Sequence, residues 1–145
     1  MVTMEPPAVD VLVVEDDDSL GTILTAVLQD QGYAVARVSN GREALHRMAT
    51  GRPPCLILLN LVMPVMNGWD LREQLKKVPE LAEIPVVVLS GVTHLEKQAA
   101  SLGATDSFTK PYNIKMVVET VRQYCQPSGR TVMPETEPPR GPMMS

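Results

Sequence analysis

The sequence is poor in aromatic residues, in cysteine and in positive charge. One Phe, one Trp and three Tyr in 145 residues leave little material for base-stacking platforms or aromatic cages. Thirteen basic against 17 acidic residues give a net charge of −4, which argues against a sequence-independent nucleic-acid binder. Cys55 and Cys125 are the only cysteines, so the sequence argues against a disulfide scaffold and favours a reducing compartment.

The sequence also lacks targeting and membrane-spanning signals. Residues Met1–Pro7 contain a Glu and two prolines, without the basic start and apolar run of a signal peptide. The most apolar stretch, Leu56–Met66, is interrupted by Asn60 and Pro64 and is too short to span a bilayer. A cytoplasmic protein without membrane contact is therefore expected.

What is present divides into three parts. We expect a short N-terminal arm at residues 1–8, a folded domain at 9–125 and a proline-rich segment at 126–145. The last segment holds five of the thirteen prolines and almost no periodic apolar pattern. Such composition predicts either a flexible tail or the stump of a linker to a further domain.

Between Val9 and Cys125 two patterns alternate. Short apolar runs rich in β-branched residues predict five strands, and their near-continuous apolarity indicates a sheet covered on both faces. Apolar residues at helical spacing lie between these runs, as in Leu20–Leu28 and Ile114–Val121. The strict alternation predicts an α/β fold with right-handed crossovers and a parallel sheet. The predicted strands are Val9–Val14, Tyr33–Val38, Cys55–Leu59, Val86–Leu89 and Ser107–Thr109.

Residues at the helix ends support this division. Capping-box spacing is found twice, and two further asparagines precede helical patterns. Glycines stand where three of the helices are expected to end. The predicted capping boxes are Asn40 with Glu43 and Thr93 with Glu96, the further N-caps are Asn67 and Asn113, and the terminal glycines are Gly32, Gly51 and Gly103.

Polar residues follow the predicted strands where a parallel α/β sheet binds its ligands. Glu15 and Asp16 end the first strand, and adjacent carboxylates there favour a divalent cation site. Asn60 ends the third strand, Ser90 the fourth, and Lys110 follows the fifth. Carboxylates for a metal, a hydroxyl and an ammonium are the groups that hold a phosphoryl group.

These segments resemble the receiver domains of two-component response regulators. The matching stretches are VLVVEDD, LILLNLVMPVMNG, IPVVVLSG and GATDSFTKP, and the resemblance covers residues 9–125. It implies the doubly wound (βα)5 fold of flavodoxin-like receivers, with a five-stranded parallel sheet. It also implies a bacterial signalling module of a phosphorelay rather than an enzyme.

The resemblance implies a role for each of these residues. In the family, an aspartate ending the third strand accepts a phosphoryl group from a phosphohistidine and requires Mg²⁺. The acceptor position here is Asn60, and the implied metal ligands are Glu15, Asp16, Asn60 and the backbone carbonyl of Val62. Ser90 and Lys110 are the implied contacts of the phosphoryl oxygens. The bond between Lys110 and Pro111 is expected to be cis.

Two residues depart from the family pattern. An amide is a far poorer nucleophile than a carboxylate, so phosphorylation at Asn60 is expected to be abolished and Mg²⁺ binding weakened. Both a naturally degenerate receiver and a deliberate Asp-to-Asn change are compatible with the sequence. The second departure is Ser107, where the family usually has Tyr or Phe, while Phe108 is expected on the opposite face of the strand.

The resemblance also implies the partners. They are a histidine kinase or histidine phosphotransfer protein, a downstream protein target, and a second copy of the chain. The homodimer would form through the fourth and fifth helices and the fifth strand. The alternative is a Mg²⁺-dependent phosphatase with Asp16 as nucleophile, because residues 16–20 approach the acidic signature of such enzymes.

Overall fold

The computed structural model describes residues 8–49 and 51–128, and in this part of the chain five strands alternate with helices. The strands are β1 Val11–Val14, β2 Val35–Val38, β3 Leu56–Leu59, β4 Val86–Ser90 and β5 Asp106–Thr109. The helices are α1 Asp18–Asp30, α2 Gly41–Met48, α3 Gly68–Lys76, α4 Pro79–Ala82, α5 Leu95–Leu102 and α6 Ile114–Tyr124. The short helix α4 was not predicted, so the predicted fourth and fifth helices are α5 and α6.

The sheet has the predicted parallel topology. Its strand order is β2-β1-β3-β4-β5, and every pair of neighbours is parallel. This is the doubly wound, flavodoxin-like arrangement that the alternation of patterns indicated. The order places β1 beside β3, so the topological switch point lies at the carboxyl ends of these two central strands.

Helices cover both faces of the sheet, which explains the near-continuous apolar runs. Leu12 and Val14 of β1 pack with residues of α2, α3 and α5, whereas Val11 and Val13 pack with residues of α1 and α6. All four side chains are fully buried. Successive residues of a strand point to opposite faces, so one uninterrupted apolar run supplies both cores.

Most predicted helix ends are confirmed. Asn40, Asn67 and Asn113 each accept a hydrogen bond from a backbone N–H in the first turn of their helix. Gly32, Gly51 and Gly103 have φ angles between 71° and 94°, the left-handed region in which glycine is favoured.

The predicted cap at Thr93 is wrong. Helix α5 begins at Leu95, its N-cap is His94 in the left-handed conformation at φ 55°, and that side chain makes no capping hydrogen bond. The left-handed residue turns the chain so that Leu95, only 4% exposed, begins the helix facing the core.

The prediction for the cysteines is also corrected. Cys55 and Cys125 form a disulfide, with their Cα atoms 5.8 Å apart and a sequence separation of 70 residues. Cys55 is exposed, whereas Cys125 is buried. The fold brings the start of β3 beside the end of α6, a proximity that two widely separated cysteines do not reveal in sequence.

The chain after α6 is anchored at Ser128, the fourth residue after the helix. The backbone N–H and the hydroxyl of Ser128 donate to the buried carboxylate of Asp10, at 3.2 and 2.7 Å. Asp10 also accepts from the N–H of Ala34. The start of the predicted flexible segment is thus attached to the sheet, while residues 129–145, like the arm residues 1–7, lie outside the described part of the chain.

Within residues 8–49 and 51–128, no helix is both long enough and apolar enough to cross a membrane.

Candidate functional site

Four strand ends bring the predicted site residues together. Glu15 and Asp16 follow β1, Asn60 follows β3, Ser90 is the last residue of β4, and Lys110 follows β5. Because parallel strands end at the same edge of the sheet, residues up to 95 positions apart in sequence come into direct contact.

The side-chain amide of Asn60 lies at the centre of this group. Its Nδ2 atom donates to Oε2 of Glu15 at 3.1 Å, to Oδ1 of Asp16 at 3.0 Å and to the carbonyl oxygen of Val62 at 3.0 Å. These acceptors are the metal ligands implied by the family resemblance. An amide has only two N–H donors, so one of them is shared between two oxygens.

Glu15 is the most deeply buried charge of the site. Its side chain is 2% exposed and accepts from Lys110 Nζ at 2.8 Å through Oε1, and from the backbone N–H of Asp17 at 3.2 Å through Oε2. The side chain of Lys110 is 25% exposed. A buried carboxylate needs such partners, because water cannot solvate it.

Beside these residues lies an open cleft of about 330 Å³. Ser90 is 1% exposed, and its hydroxyl has no hydrogen-bond partner within the described residues. The cleft therefore combines an ammonium, an unpaired hydroxyl and an amide. It is lined by Asn60, Val62, Ser90, Gly91, Val92 and Lys110.

The loop after β3 packs tightly against the end of the strand. The N–H of Gly68 donates to the carbonyl of Leu61 at 2.8 Å. A Cβ atom on Gly68 would lie 2.5 Å from the backbone oxygen of Asn60 and 2.9 Å from Cα of Leu61. Only glycine lets α3 begin this close to the residue that carries the central amide.

Arg37 of β2 contacts the acidic turn, residues 15–18, on the side away from the cleft. The sequence did not predict this contact. Its guanidinium donates to the carbonyl oxygen of Glu15 at 2.7 and 3.0 Å and pairs with Asp18 at 2.9 Å. A Cβ atom on Gly21 of α1 would lie 2.4 Å from Nε of Arg37. A glycine inside a helical pattern often marks close packing, so Gly21 was the sequence signal that could have indicated this contact.

A polar chain connects α3 to α5. The indole N–H of Trp69 donates to the side-chain oxygen of Gln98 at 3.1 Å, and the amide of Gln98 donates to the carbonyl of Thr93 at 2.9 Å. Thr93 belongs to the loop that leaves β4 after Ser90. Trp69, the second residue of α3, is thus joined to α5 by a hydrogen bond.

The two residues of β5 that depart from the family pattern lie on opposite faces. Phe108 is paired with Leu89 and packs with the core that α1 and α6 cover. Ser107 is paired with Val88, which belongs to the core on the other face. The expectation that Phe108 faces away from the position of Ser107 is confirmed.

Two tyrosines have buried hydroxyl groups that differ in their hydrogen bonding. Tyr33 donates to the carbonyl of Cys125 at 2.6 Å, whereas the buried hydroxyl of Tyr112 has no partner within the described residues. Burial raises the pKa of Tyr33 above its ordinary value. Burial, followed by the charges of Glu15 and Asp17, raises the pKa of Tyr112 further.

We expect Tyr33→Phe to lower the free energy of unfolding by about 1 kcal/mol, and Tyr112→Phe to leave it unchanged or higher. Because the folded state favours the neutral phenols, their contribution is complete below about pH 10 and is lost as the pH rises beyond it. Urea unfolding between pH 7 and 11 measures both effects. Equal costs for the two variants at pH 7 would contradict the assignment of hydrogen-bond partners.

Comparisons with known proteins agree with this architecture. The family model described as the response regulator receiver domain matches residues 11–122. Sporulation initiation phosphotransferase F of Bacillus subtilis is 27% identical over 114 residues, which cover 79% of this chain and 91% of that protein.

Solved structures give the same result. The signal receiver domain of a signal transduction histidine kinase from Syntrophus aciditrophicus has a TM-score of 0.72 and 34% identity, covering 81% of this chain and 89% of that one. The receiver domain of sensor histidine kinase PA1611 from Pseudomonas aeruginosa has a TM-score of 0.72 at 20% identity, covering 81% and 98%. That structure is described with a magnesium ion in the active-site cleft. The chain belongs to the response regulator receiver domain family of two-component signalling.

Proposed function

We propose that this chain is a receiver module that signals through protein contacts and accepts no phosphoryl group at residue 60. The observation that carries the proposal is the amide of Asn60, which stands at the acceptor position and donates to Glu15, Asp16 and Val62. Phosphoryl transfer needs a nucleophilic oxygen there, and a carboxamide oxygen is a far poorer nucleophile than a carboxylate.

The rest of the phosphoryl site is retained in this proposal. Ser90 and Lys110 line the same cleft as Asn60, and the hydroxyl of Ser90 has no hydrogen-bond partner among residues 8–49 and 51–128. They are the proposed contacts of phosphoryl oxygens. The metal ligands that the family resemblance implies, Glu15, Asp16, Asn60 and Val62, stand together next to the cleft.

The charge of the site predicts weaker Mg²⁺ binding than in a receiver with an acceptor aspartate. Glu15 and Asp16 bring two negative charges and Lys110 one positive charge, which leaves −1; an aspartate at residue 60 would make it −2. Affinity for a hard divalent cation rises with the number of anionic ligands.

Partners follow from the family. Receiver domains interact with histidine kinases and with phosphotransfer proteins, and we propose that this chain binds such a protein in the bacterial cytoplasm. A downstream protein target, and a second copy bound through α5, β5 and α6, complete the proposed contacts. The proposal includes no contact with nucleic acid or membrane and no enzymatic activity.

Labelling with a small phosphodonor tests the proposal. The chain and its Asn60→Asp variant are incubated with acetyl phosphate and Mg²⁺, and the intact mass of each is measured. We expect a covalent phosphoryl group in Asn60→Asp and none in the chain with Asn60. Stoichiometric labelling of the unsubstituted chain would overturn the proposal.

The phosphatase alternative makes a different prediction. It requires Asp16 to attack a phosphate ester, whereas Asp16 accepts a hydrogen bond from Asn60 in the structure. A Mg²⁺-dependent hydrolysis of p-nitrophenyl phosphate that disappears in Asp16→Asn would favour that enzyme. We expect equal, background-level hydrolysis by both chains.

A further inference from the structure

We propose that the Asn60 amide nitrogen takes the place of the divalent cation, so that this receiver holds its acidic pair without Mg²⁺. The inference deepens the proposed function, because it concerns how the same site is balanced. It differs from a simple loss of one anionic ligand, which leaves the metal position open.

The first support is the geometry around Nδ2. Carboxylate oxygens of Glu15 and Asp16 and the carbonyl oxygen of Val62 all lie 3.0–3.1 Å from this one atom. A Mg²⁺ ion in their midst would bind these oxygens directly at about 2.0–2.1 Å. Here a hydrogen-bond donor occupies the centre instead.

The second support is the orientation of the amide. Without a cation, a reversed amide would place its oxygen against three other acceptors, and it would in any case give up the three hydrogen bonds of Nδ2. Binding of a cation through Asn60 requires that reversal. The residues as arranged therefore do not fit Mg²⁺, and the amide competes with it.

The third support comes from the other donors around the acidic turn. Lys110 Nζ pairs with the second oxygen of Glu15 at 2.8 Å. Arg37 donates to the carbonyl of Glu15 and pairs with Asp18. The buried carboxylate of Glu15 thus accepts hydrogen bonds from Lys110, from Asn60 and from the backbone N–H of Asp17, whereas Arg37 neutralises the neighbouring Asp18.

The response of thermal stability to Mg²⁺ tests the inference in three chains. They are the unsubstituted protein, Asn60→Ala and Asn60→Asp, each heated with 0 and about 10 mM Mg²⁺ at matched ionic strength. We expect a shift in Tm of about 1 °C or less for the unsubstituted chain, a clear rise for Asn60→Ala and the largest rise, about 5 °C or more, for Asn60→Asp.

Asn60→Ala separates the two explanations of weak metal binding. If only the number of anionic ligands matters, this variant responds no more than the unsubstituted chain, because both have the same two carboxylates. If the amide nitrogen fills the metal position, removing it opens the position and the response increases. A response of Asn60→Ala equal to or below that of the unsubstituted chain would overturn the inference.

Direct titration of the folded, unsubstituted chain with MgCl₂ in a calorimeter keeps the test valid if Asn60→Ala does not fold. We expect no saturable heat up to about 10 mM Mg²⁺. Saturable binding with a dissociation constant below about 1 mM would overturn the inference. The proposed function would remain intact, since that proposal fails only when residue 60 of the unsubstituted chain becomes labelled.

Discussion

Replacing Lys110 by methionine is expected to lower the free energy of unfolding by about 2–3 kcal/mol, although the side chain lies at the rim of the cleft. The substitution keeps an unbranched apolar side chain that extends as far as Cε and removes the ammonium 2.8 Å from Glu15. The carboxylate, 2% exposed, is then left with neutral donors alone. The cost stays below that of a fully buried pair because Lys110 is 25% exposed. Urea unfolding at pH 7 measures it.

A double-mutant cycle separates this electrostatic cost from lost packing. In a Glu15→Gln background the buried group is neutral, so adding Lys110→Met should cost less than half of what it costs alone. Equal costs in both backgrounds would show that Lys110 stabilises the domain through its methylene groups and not through its charge.

The second large effect is expected at Gly68. An alanine Cβ there would lie 2.5 Å from the carbonyl oxygen of Asn60 and 2.9 Å from Cα of Leu61. Both are backbone atoms, so relief requires the start of α3 to move away from the end of β3. We expect Gly68→Ala to lower the free energy of unfolding by about 3 kcal/mol, measured by urea unfolding.

Gly91 provides the matched control on the opposite side of the cleft. In the described part of the chain, a Cβ atom on Gly91 would meet only Cβ of Lys110, at 3.9 Å, which is an ordinary contact. Its φ lies outside the left-handed region. We expect Gly91→Ala to change stability by no more than about 0.5 kcal/mol. A similar loss in both variants would indicate that the loss of glycine itself, rather than the contact with Asn60, is responsible.

The fold could be predicted largely because apolar periodicity and helix-end chemistry agree. Strands covered on both faces give continuous apolar runs, and these are visible at β1, β3 and β4. The apolar pattern is weakest at β5 because two of its four residues are exposed and the other two only partly buried. Helix α4 has no detectable pattern because four residues give too little periodicity. The spacing of Thr93 to Glu96 predicts a cap at Thr93, but the left-handed conformation of His94 depends on how Leu95 reaches the core.

The residues of the candidate site could be predicted from the sequence, but the hydrogen bonds and ion pairs between them could not. Strand ends place Glu15, Asn60 and Lys110 at one edge, and the structure brings them into contact. Which atoms pair is decided by side-chain geometry, and so the three acceptors of the Asn60 amide were not foreseen. The guanidinium of Arg37 was missed because its carbonyl partner has no sequence signature.

The hydrogen bond between Trp69 and Gln98 has a practical consequence for spectroscopy. Trp69 is the sole tryptophan of the chain, so its emission is free of overlap with another indole. The bond ties that indole to α5, and Gln98 continues the link to the loop after β4. The emission maximum and the fluorescence lifetime of Trp69 therefore report changes in the position of α5 relative to α3, and no attached dye is needed.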